Sequence, residues 1–218
     1  MVQRGQVLER MTVVRSGELA LEALFASGVA GAERGGPVVL AGPHPRFGGN
    51  MDSPVLTELV WALARQGRPT LRFNWRGVGA SQGDSRVPVL PAASQPTLDD
   101  ETSDLVAAIE HHAGGERCSL VGYSFGAAPA TRAAIEHPAV ERLVLVAPLI
   151  DVLAFDWDAL VASGVPTAIV CGELDHHAAA DAVRKAAGHR LPIRVVAGAG
   201  HAFQRGLPEL ARAVAASL

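Results

Sequence analysis

The chain has 218 residues, of which 49% are hydrophobic and 19% charged, a composition typical of a folded protein rather than a disordered one. This length suits one domain of ordinary size. The formal net charge is −3 and the 19 Lys and Arg residues are scattered, so the sequence lacks the basic face that nucleic-acid binding requires.

The apolar runs, the N-terminal residues and the cysteines indicate the cellular compartment of the protein. No apolar run approaches the roughly 18 residues that a membrane-spanning helix needs, and residues 1–14 lack the continuous apolar core of a signal peptide. We therefore expect a cytoplasmic protein with no membrane partner. Cys118 and Cys171 lie in apolar, strand-like runs outside any C-x-x-C motif, which favours two buried free thiols over a disulfide.

The first predicted elements are two strands, "QVLERMTVV" and "LALEALFAS", joined by a turn at Ser16-Gly17 and hence antiparallel. The wholly apolar "PVVLAG" comes next and is typical of a strand buried on both faces. A helix is predicted in "DSPVLTELVWALARQG". Asp52 or Ser53 can cap its start, and Pro54 fits its first turn.

Strands and helices then alternate to the end of the chain. Strands are predicted in "PTLRFNW", "CSLVG", "RLVLVAP", "PTAIVCG" and "LPIRVVAG", and helices in "LDDETSDLVAAIEHHAGG", "FGAAPATRAAIEHP", "AAADAVRKAAGH" and "GLPELARAVAASL". Such alternation indicates βαβ units. The expected fold class is therefore α/β, with about eight mostly parallel strands and helices on both faces of the sheet.

One domain is expected to span residues 1–218. The segment from Leu149 to Val165, between two predicted strands, is too short to form a separate cap domain. The proline-rich stretch from Asp84 to Thr97 has no periodic pattern, so it is either a surface excursion or a lid over a site.

Three predicted strands run directly into residues suited to acyl transfer. These are Ser124 in "LVGYSFGA", Asp175 in "CGELD" and His201 in "GAGHAF", and ligands of open parallel sheets bind at this edge of the sheet. A serine needs a base to take its proton, an imidazole can take and return that proton, and a carboxylate fixes the imidazole tautomer. The order Ser, Asp, His is that of the α/β-hydrolases. Asp151, after the preceding strand, is an alternative for the acid.

The stretch "GYSFG" predicts a tight turn between strand and helix, in which the two glycines leave room for a strained Ser124. The N–H of Phe125 is then expected to bind a developing oxyanion at the helix N-terminus. A second donor should come from the loop "GPHPRFGGNMDSP". The first choice is the N–H of His44 and the second is that of Arg46, because proline has no N–H to offer.

Six stretches, taken in order, resemble the motifs of small bacterial α/β-hydrolases of the dienelactone-hydrolase-like or acyl-peptidase-like kind. They are "GPHPRFGGNMDSPV", "LRFNWRGVGASQGD", "LVGYSFGA", "LVAP", "CGELD" and "GAGHAF". The resemblance runs from about Val38 to the C-terminus and implies the α/β-hydrolase fold with little or no cap. It also implies Ser124 as nucleophile, Asp175 as acid and His201 as base, without a cofactor. Members usually carry His-Pro-His-Pro in the first loop, where this chain has Gly42 in place of the first His.

Other residues near the predicted strand ends have less specific interpretations. The candidates for the substrate pocket are Arg46, Phe47, Trp75, Tyr123 and Phe203. His176 and His177 follow the acid without metal-ligand spacing, so we expect an exposed loop pair and no metal. In "GVGASQG" the third glycine is one position late for a dinucleotide-binding motif, which favours a tight loop held by Arg76.

The sequence therefore predicts a serine hydrolase that cleaves a carboxylic ester, thioester or amide of a small-molecule acyl substrate through an acyl-serine intermediate. A monomer and a homodimer are both compatible with it. Two alternatives stay open: an acyltransferase, cyclase or lyase that uses the same three residues, and a non-catalytic binding protein with this fold.

Overall fold

The computed structural model describes residues 7–29, 35–89 and 96–218. Within these ranges eight strands form one sheet in the order β1-β2-β4-β3-β5-β6-β7-β8. β2 pairs antiparallel with β1 and β4, and the other neighbours are parallel, which confirms the predicted sheet. The strands are β1 (Glu9–Ser16), β2 (Leu19–Ala26), β3 (Val38–Ala41), β4 (Thr70–Phe73), β5 (Cys118–Tyr123), β6 (Val140–Val146), β7 (Thr167–Gly172) and β8 (Ile193–Val196).

The helices form two groups around this sheet. They are α1 (Pro54–Arg65), α2 (Asp99–Ala113), α3 (Ala127–Glu136), α4 (Trp157–Ala162), α5 (Ala180–Ala186) and α6 (Leu207–Ala215). α1 packs on α6. In the other group α2 and α3 pack on each other, α2 also packs on β1, and α3 on β5 and β6. With helices on both faces, β3 and β5 are buried at every position, as their unbroken apolar sequences predict. Each large aliphatic side chain buried in this way contributes about 1.5–3 kcal/mol.

Two details of the helices differ from the predictions. Pro54 begins α1 as expected, but Ser53 makes no side-chain cap, and the carboxylate of Asp52 instead pairs with Arg72 at 3.0 Å. The short helix α4 was not predicted. Its N-cap is Asp156, whose Oδ1 accepts a hydrogen bond from the N–H of Ala159 at 2.8 Å.

A buried ion pair fixes the loop that follows β4. The carboxylate of Asp104 is fully buried and accepts hydrogen bonds from Ser16 Oγ at 2.7 Å and from Arg76 Nη2 at 2.7 Å. The backbone N–H and Nε of Arg76 donate to the other oxygen of Asp104, at 3.2 and 3.0 Å. Arg76 therefore ties the glycine-containing loop to α2. Removal of one member of such a buried pair costs about 3–5 kcal/mol.

Both cysteines are buried and free. Burial raises the pKa of the Cys118 and Cys171 thiols to about 12, so both stay protonated at neutral pH. None of the helices in the described ranges is both long enough and apolar enough to cross a bilayer. Part of the proline-rich stretch from Asp84 to Thr97, residues 90–95, lies outside the described residues, so the two predicted roles, a surface excursion or a lid, both stay predictions.

Candidate active site

Ser124 lies on a sharp turn between β5 and α3, with a left-handed backbone φ of +56°. A Cβ atom on Gly122 would lie 2.7 Å from the Cα of Ala127, and one on Gly126 would lie 2.5 Å from the carbonyl oxygen of Ala41. Real Cβ atoms do not approach backbone atoms so closely, so both positions require glycine. A non-glycine residue in this conformation stores about 1–3 kcal/mol of strain, and the close-packed glycines hold it there.

The three residues predicted from the strand ends form one hydrogen-bonded chain. The Oγ of Ser124 is 2.8 Å from the Nε2 of His201, and the Nδ1 of His201 is 2.9 Å from the Oδ2 of Asp175. Because a carboxylate only accepts, the Nδ1 of His201 carries the proton and its Nε2 presents a lone pair to the serine hydroxyl. This tautomer lets His201 act as a base towards Ser124.

Asp175 is held in the ionised form. Burial on its own would raise the pKa of the Asp175 carboxyl, but the hydrogen bond and charge of His201 outweigh it, together with the backbone N–H groups of His177 and Ala178. These two N–H groups donate to Oδ1 at 2.9 and 3.0 Å. The net effect lowers the pKa of Asp175, so at neutral pH its charge is available to stabilise a protonated His201.

Asp151, the alternative acid, contacts a different histidine. Its Oδ2 lies 2.7 Å from the Nδ1 of His177. The geometry therefore assigns the ring of His201 to Asp175 and leaves Asp151 outside the chain that ends at Ser124.

Tyr123 contacts both the backbone and the ring of His201. Its hydroxyl donates to the carbonyl oxygen of His201 at 3.2 Å, and the two rings stack with centroids 6.1 Å apart. Burial, with a smaller effect from the charge of Asp175, raises the pKa of Tyr123 to about 12. Tyr123 therefore stays a neutral hydrogen-bond donor at neutral pH.

The side chain of His44 organises the loop after β3. Its Nδ1 accepts from the N–H of Arg46 at 3.1 Å, and its Nε2 is 3.2 Å from the carbonyl oxygen of Pro88. The ring packs between Phe47 and Phe125, at centroid distances of 4.8 and 4.9 Å. Burial lowers the pKa of His44, so the ring is neutral and Nε2–H donates to Pro88. The N–H of Arg46 is thus engaged, whereas the described residues offer no acceptor to the N–H of His44.

A cavity of about 640 Å³ opens beside Ser124 and His201. Most of its wall is apolar, and it includes Pro43, Phe47, Pro54, Tyr123, Leu149 and Val152. Such a cavity is of the size that holds small-molecule ligands.

Of the five candidate pocket residues, Phe47 and Tyr123 line this cavity, and the other three do not. Trp75 is fully buried and packs edge-on against Phe125, while its Nε1 donates to the carbonyl oxygen of Gly42 at 3.3 Å. Trp75 therefore packs inside the protein and holds the loop after β3 through this hydrogen bond. Phe203 is also fully buried in the core, and Arg46 is exposed away from the cavity.

His177 is a cavity-lining residue that sequence reasoning missed. The sequence predicts an exposed loop pair at His176 and His177, and both residues are exposed. The sequence did not indicate that the ring of His177 also borders the cavity. Within the described parts of the chain, no cluster of three or more His, Cys, Asp and Glu residues is arranged to hold a metal ion.

Comparison with known protein families gives a match to the family described as "Serine aminopeptidase, S33" over residues 47–170, more than half of the chain. The chain belongs to this family. The match includes the turn at Ser124, whereas Asp175 and His201 lie beyond it. The placement of these two residues as partners of Ser124 therefore rests on the geometry.

Two solved structures and one sequence relative resemble this chain. An α/β serine hydrolase homologue from Coxiella burnetii is 29% identical, with a TM-score of 0.76 over 96% of this chain and 97% of that chain. A lidless α/β serine hydrolase from Xanthomonas campestris is 22% identical, with a TM-score of 0.79 over 96% and 93%. An uncharacterized protein of Rickettsia prowazekii is 26% identical over 187 residues, which cover 79% of this chain and 74% of that protein. The two solved structures confirm the α/β-hydrolase fold.

Proposed function

We propose that this protein is a serine hydrolase that cleaves an ester, thioester or amide through an acyl-serine intermediate. One observation carries the proposal: Ser124, His201 and Asp175 form a continuous hydrogen-bonded chain at 2.8 and 2.9 Å, at the edge of an apolar cavity. The membership in a hydrolase family supports it.

In the proposed first half-reaction, the Nε2 of His201 takes the proton of Ser124 as Oγ forms a bond to the carbonyl carbon of the substrate. The ionised Asp175 stabilises the resulting imidazolium. The tetrahedral intermediate collapses, the bond to the leaving group breaks, and His201 gives its proton to the departing atom. The acyl group is then an ester of Ser124.

The second half-reaction repeats these steps with water. His201 takes a proton from a water molecule while the water oxygen attacks the acyl carbon. The bond between the acyl group and the Oγ of Ser124 then breaks, and His201 returns a proton to Oγ. The free acid leaves, and the enzyme regains its starting protonation.

The oxyanion of both intermediates is proposed to bind the N–H groups of Phe125 and His44. The N–H of Phe125 lies at the start of the helix after the nucleophile, and that of His44 has no acceptor in the described part of the chain. The clamped ring of His44 and the support from Trp75 hold this loop rigid. Loss of one such donor typically costs about 10²–10³ in rate.

The test is hydrolysis of p-nitrophenyl esters of increasing acyl chain length, next to thioester and amide substrates. The wild-type protein should release p-nitrophenol, and Ser124→Ala should reduce kcat/KM to the background rate. Ser119→Ala is the matched control, because Ser119 is a buried serine on β5, the strand that leads into Ser124, and its Oγ has no partner among the described residues. Equal activity of the wild type and Ser124→Ala would contradict the proposal.

The same assay separates the alternatives. Product transfer to an added alcohol or amine, with little free acid released, would indicate an acyltransferase. Substrate binding without turnover in both the wild type and Ser124→Ala would indicate a binding protein.

A further inference from the structure

A second histidine–carboxylate pair borders the cavity. The Nδ1 of His177 lies 2.7 Å from the Oδ2 of Asp151. The ring of His177 packs edge-on against His201, with centroids 5.4 Å apart at an interplanar angle of 75°. His177 lines the cavity beside Ser124 and His201, and the hydrolytic steps described above make no use of it.

The position of His177 puts its ring next to the leaving group of the substrate. His201 must give its proton to the leaving group, so the leaving group has to lie within reach of the Nε2 of His201. A ring that packs against His201 and lines the same cavity therefore borders the leaving group. Leu149 and Val152, which flank Asp151 in the chain, also line the cavity, so the pair joins two loops of its wall.

The partner of His177 determines what its free nitrogen can bind. The Nδ1–H of His177 donates a hydrogen bond to Asp151, and the Nε2 has no partner among the described residues. A hydroxyl group can both donate and accept, so it can pair with this Nε2 whether the ring is neutral or protonated.

The charges around the cavity disfavour an anionic leaving group. Among the described residues, the lining contains Asp52, which pairs with Arg72, and no Lys or Arg side chain. Asp151 lies directly behind His177. A carboxylate in the leaving group would therefore lie near Asp151 without a cationic side chain from the described lining to pair with.

We propose that His177, oriented by Asp151, binds a hydroxyl group of the leaving alcohol and so makes the enzyme selective for esters of neutral, hydroxylated alcohols. This inference rests on the proposed hydrolytic function. It assigns His177 a role in specificity, and the bond-breaking steps remain those of Ser124 and His201.

The inference can be tested without loss of the fold. The side chains of His177 and Asp151 are 55% and 41% exposed, and an ion pair with such exposure contributes little to stability. His176 provides a matched control, because it is the neighbouring residue, is exposed and does not line the cavity.

The experiment compares 2-hydroxyethyl and n-propyl esters of the same acid, which differ by a hydroxyl in place of a methyl group. For the wild type, kcat/KM should be about tenfold higher for the hydroxyethyl ester, the effect of one added hydrogen bond. In His177→Phe the ratio of the two kcat/KM values should fall to about one. His176→Phe should keep the wild-type ratio, and Asp151→Leu should lower it.

Two results would overturn the inference while the proposed function stands: a ratio near one for the wild type, or an unchanged ratio in His177→Phe, each with the propyl ester still hydrolysed. Failure of the proposed function gives a different result. In that case the wild type turns over neither ester, or Ser124→Ala turns over both, and the assignment of His177 fails with it.

Discussion

Replacement of Asp175 by asparagine tests how the carboxylate orients His201. The Oδ1 of Asp175 accepts from the N–H groups of His177 and Ala178 at 2.9 and 3.0 Å. In Asp175→Asn the amide oxygen has to stay at this position, because an NH₂ group there would face two donors. The NH₂ group then points at the Nδ1 of His201 and can only donate to it. The proton of the imidazole moves to Nε2, and no base faces Ser124.

The expected loss follows from this tautomer. The same substitution in serine proteases lowers kcat by about 10⁴, which corresponds to about 5.4 kcal/mol at 1.36 kcal/mol for each factor of ten. The fold should persist, because the hydrogen bonds from the two backbone N–H groups are retained, each worth about 0.5–1.5 kcal/mol.

The variant also has a distinct pH dependence of stability. The pKa of Asp175 is lower in the folded protein than its ordinary value. Its charge therefore contributes stability that is fully present above about pH 4, the unfolded value, and is lost as the pH falls through the lowered pKa. Asp175→Asn should lack this part of the acid-induced loss.

The assay is kcat for a p-nitrophenyl ester at saturation, with thermal unfolding as the check on folding. Asp151→Asn is the control, because Asp151 is the neighbouring carboxylate and pairs with His177 instead of His201; its kcat should stay within about threefold of wild type. The reasoning is refuted if Asp175→Asn keeps more than about a tenth of the wild-type kcat, or if Asp151→Asn loses more activity than Asp175→Asn.

Two further predictions concern packing and burial. Gly126→Ala should lower the free energy of unfolding by about 1–3 kcal/mol in urea titrations and reduce activity, because its Cβ would meet the carbonyl oxygen of Ala41 at 2.5 Å. Gly36→Ala, whose Cβ meets only the flexible carboxylate of Glu141 at 3.3 Å, should change stability by less than about 0.5 kcal/mol; equal losses in the two variants would contradict the steric argument. Burial raises the pKa of Glu101, so its ionisation reduces stability as the pH rises above the unfolded value. Glu101→Gln should therefore raise Tm at pH 8 more than at pH 4, and an equal shift at both pH values would argue against it.

The positions of Ser124, Asp175 and His201 could be predicted from the sequence for a simple geometric reason. Each of them follows an apolar run that is recognisable as a strand, and parallel strands end at one edge of the sheet. The turn glycines could be predicted for a similar reason, because only glycine tolerates the close approach of the backbone at Gly122 and Gly126.

The contacts of individual side chains could not be predicted in this way. Trp75 and Phe203 follow strands as His201 does, but their side chains are buried in the core, and a position at a strand end does not fix the direction of a side chain. The hydrogen bond of His177 to Asp151, which lies 26 residues earlier in the chain, could not be predicted, because no local sequence pattern indicates that pair. The helix α4 did have a signal in Asp156, a good N-cap residue, before a short amphipathic run.

The central claim is that Ser124 is the nucleophile, and covalent labelling tests it most directly. The folded protein is treated with a fluorophosphonate probe, digested, and the labelled peptide is identified by mass spectrometry. The account predicts one adduct on Ser124, with labelling abolished in Ser124→Ala and strongly slowed in His201→Gln. An unlabelled wild-type protein, or equal labelling of wild type and Ser124→Ala, would contradict it.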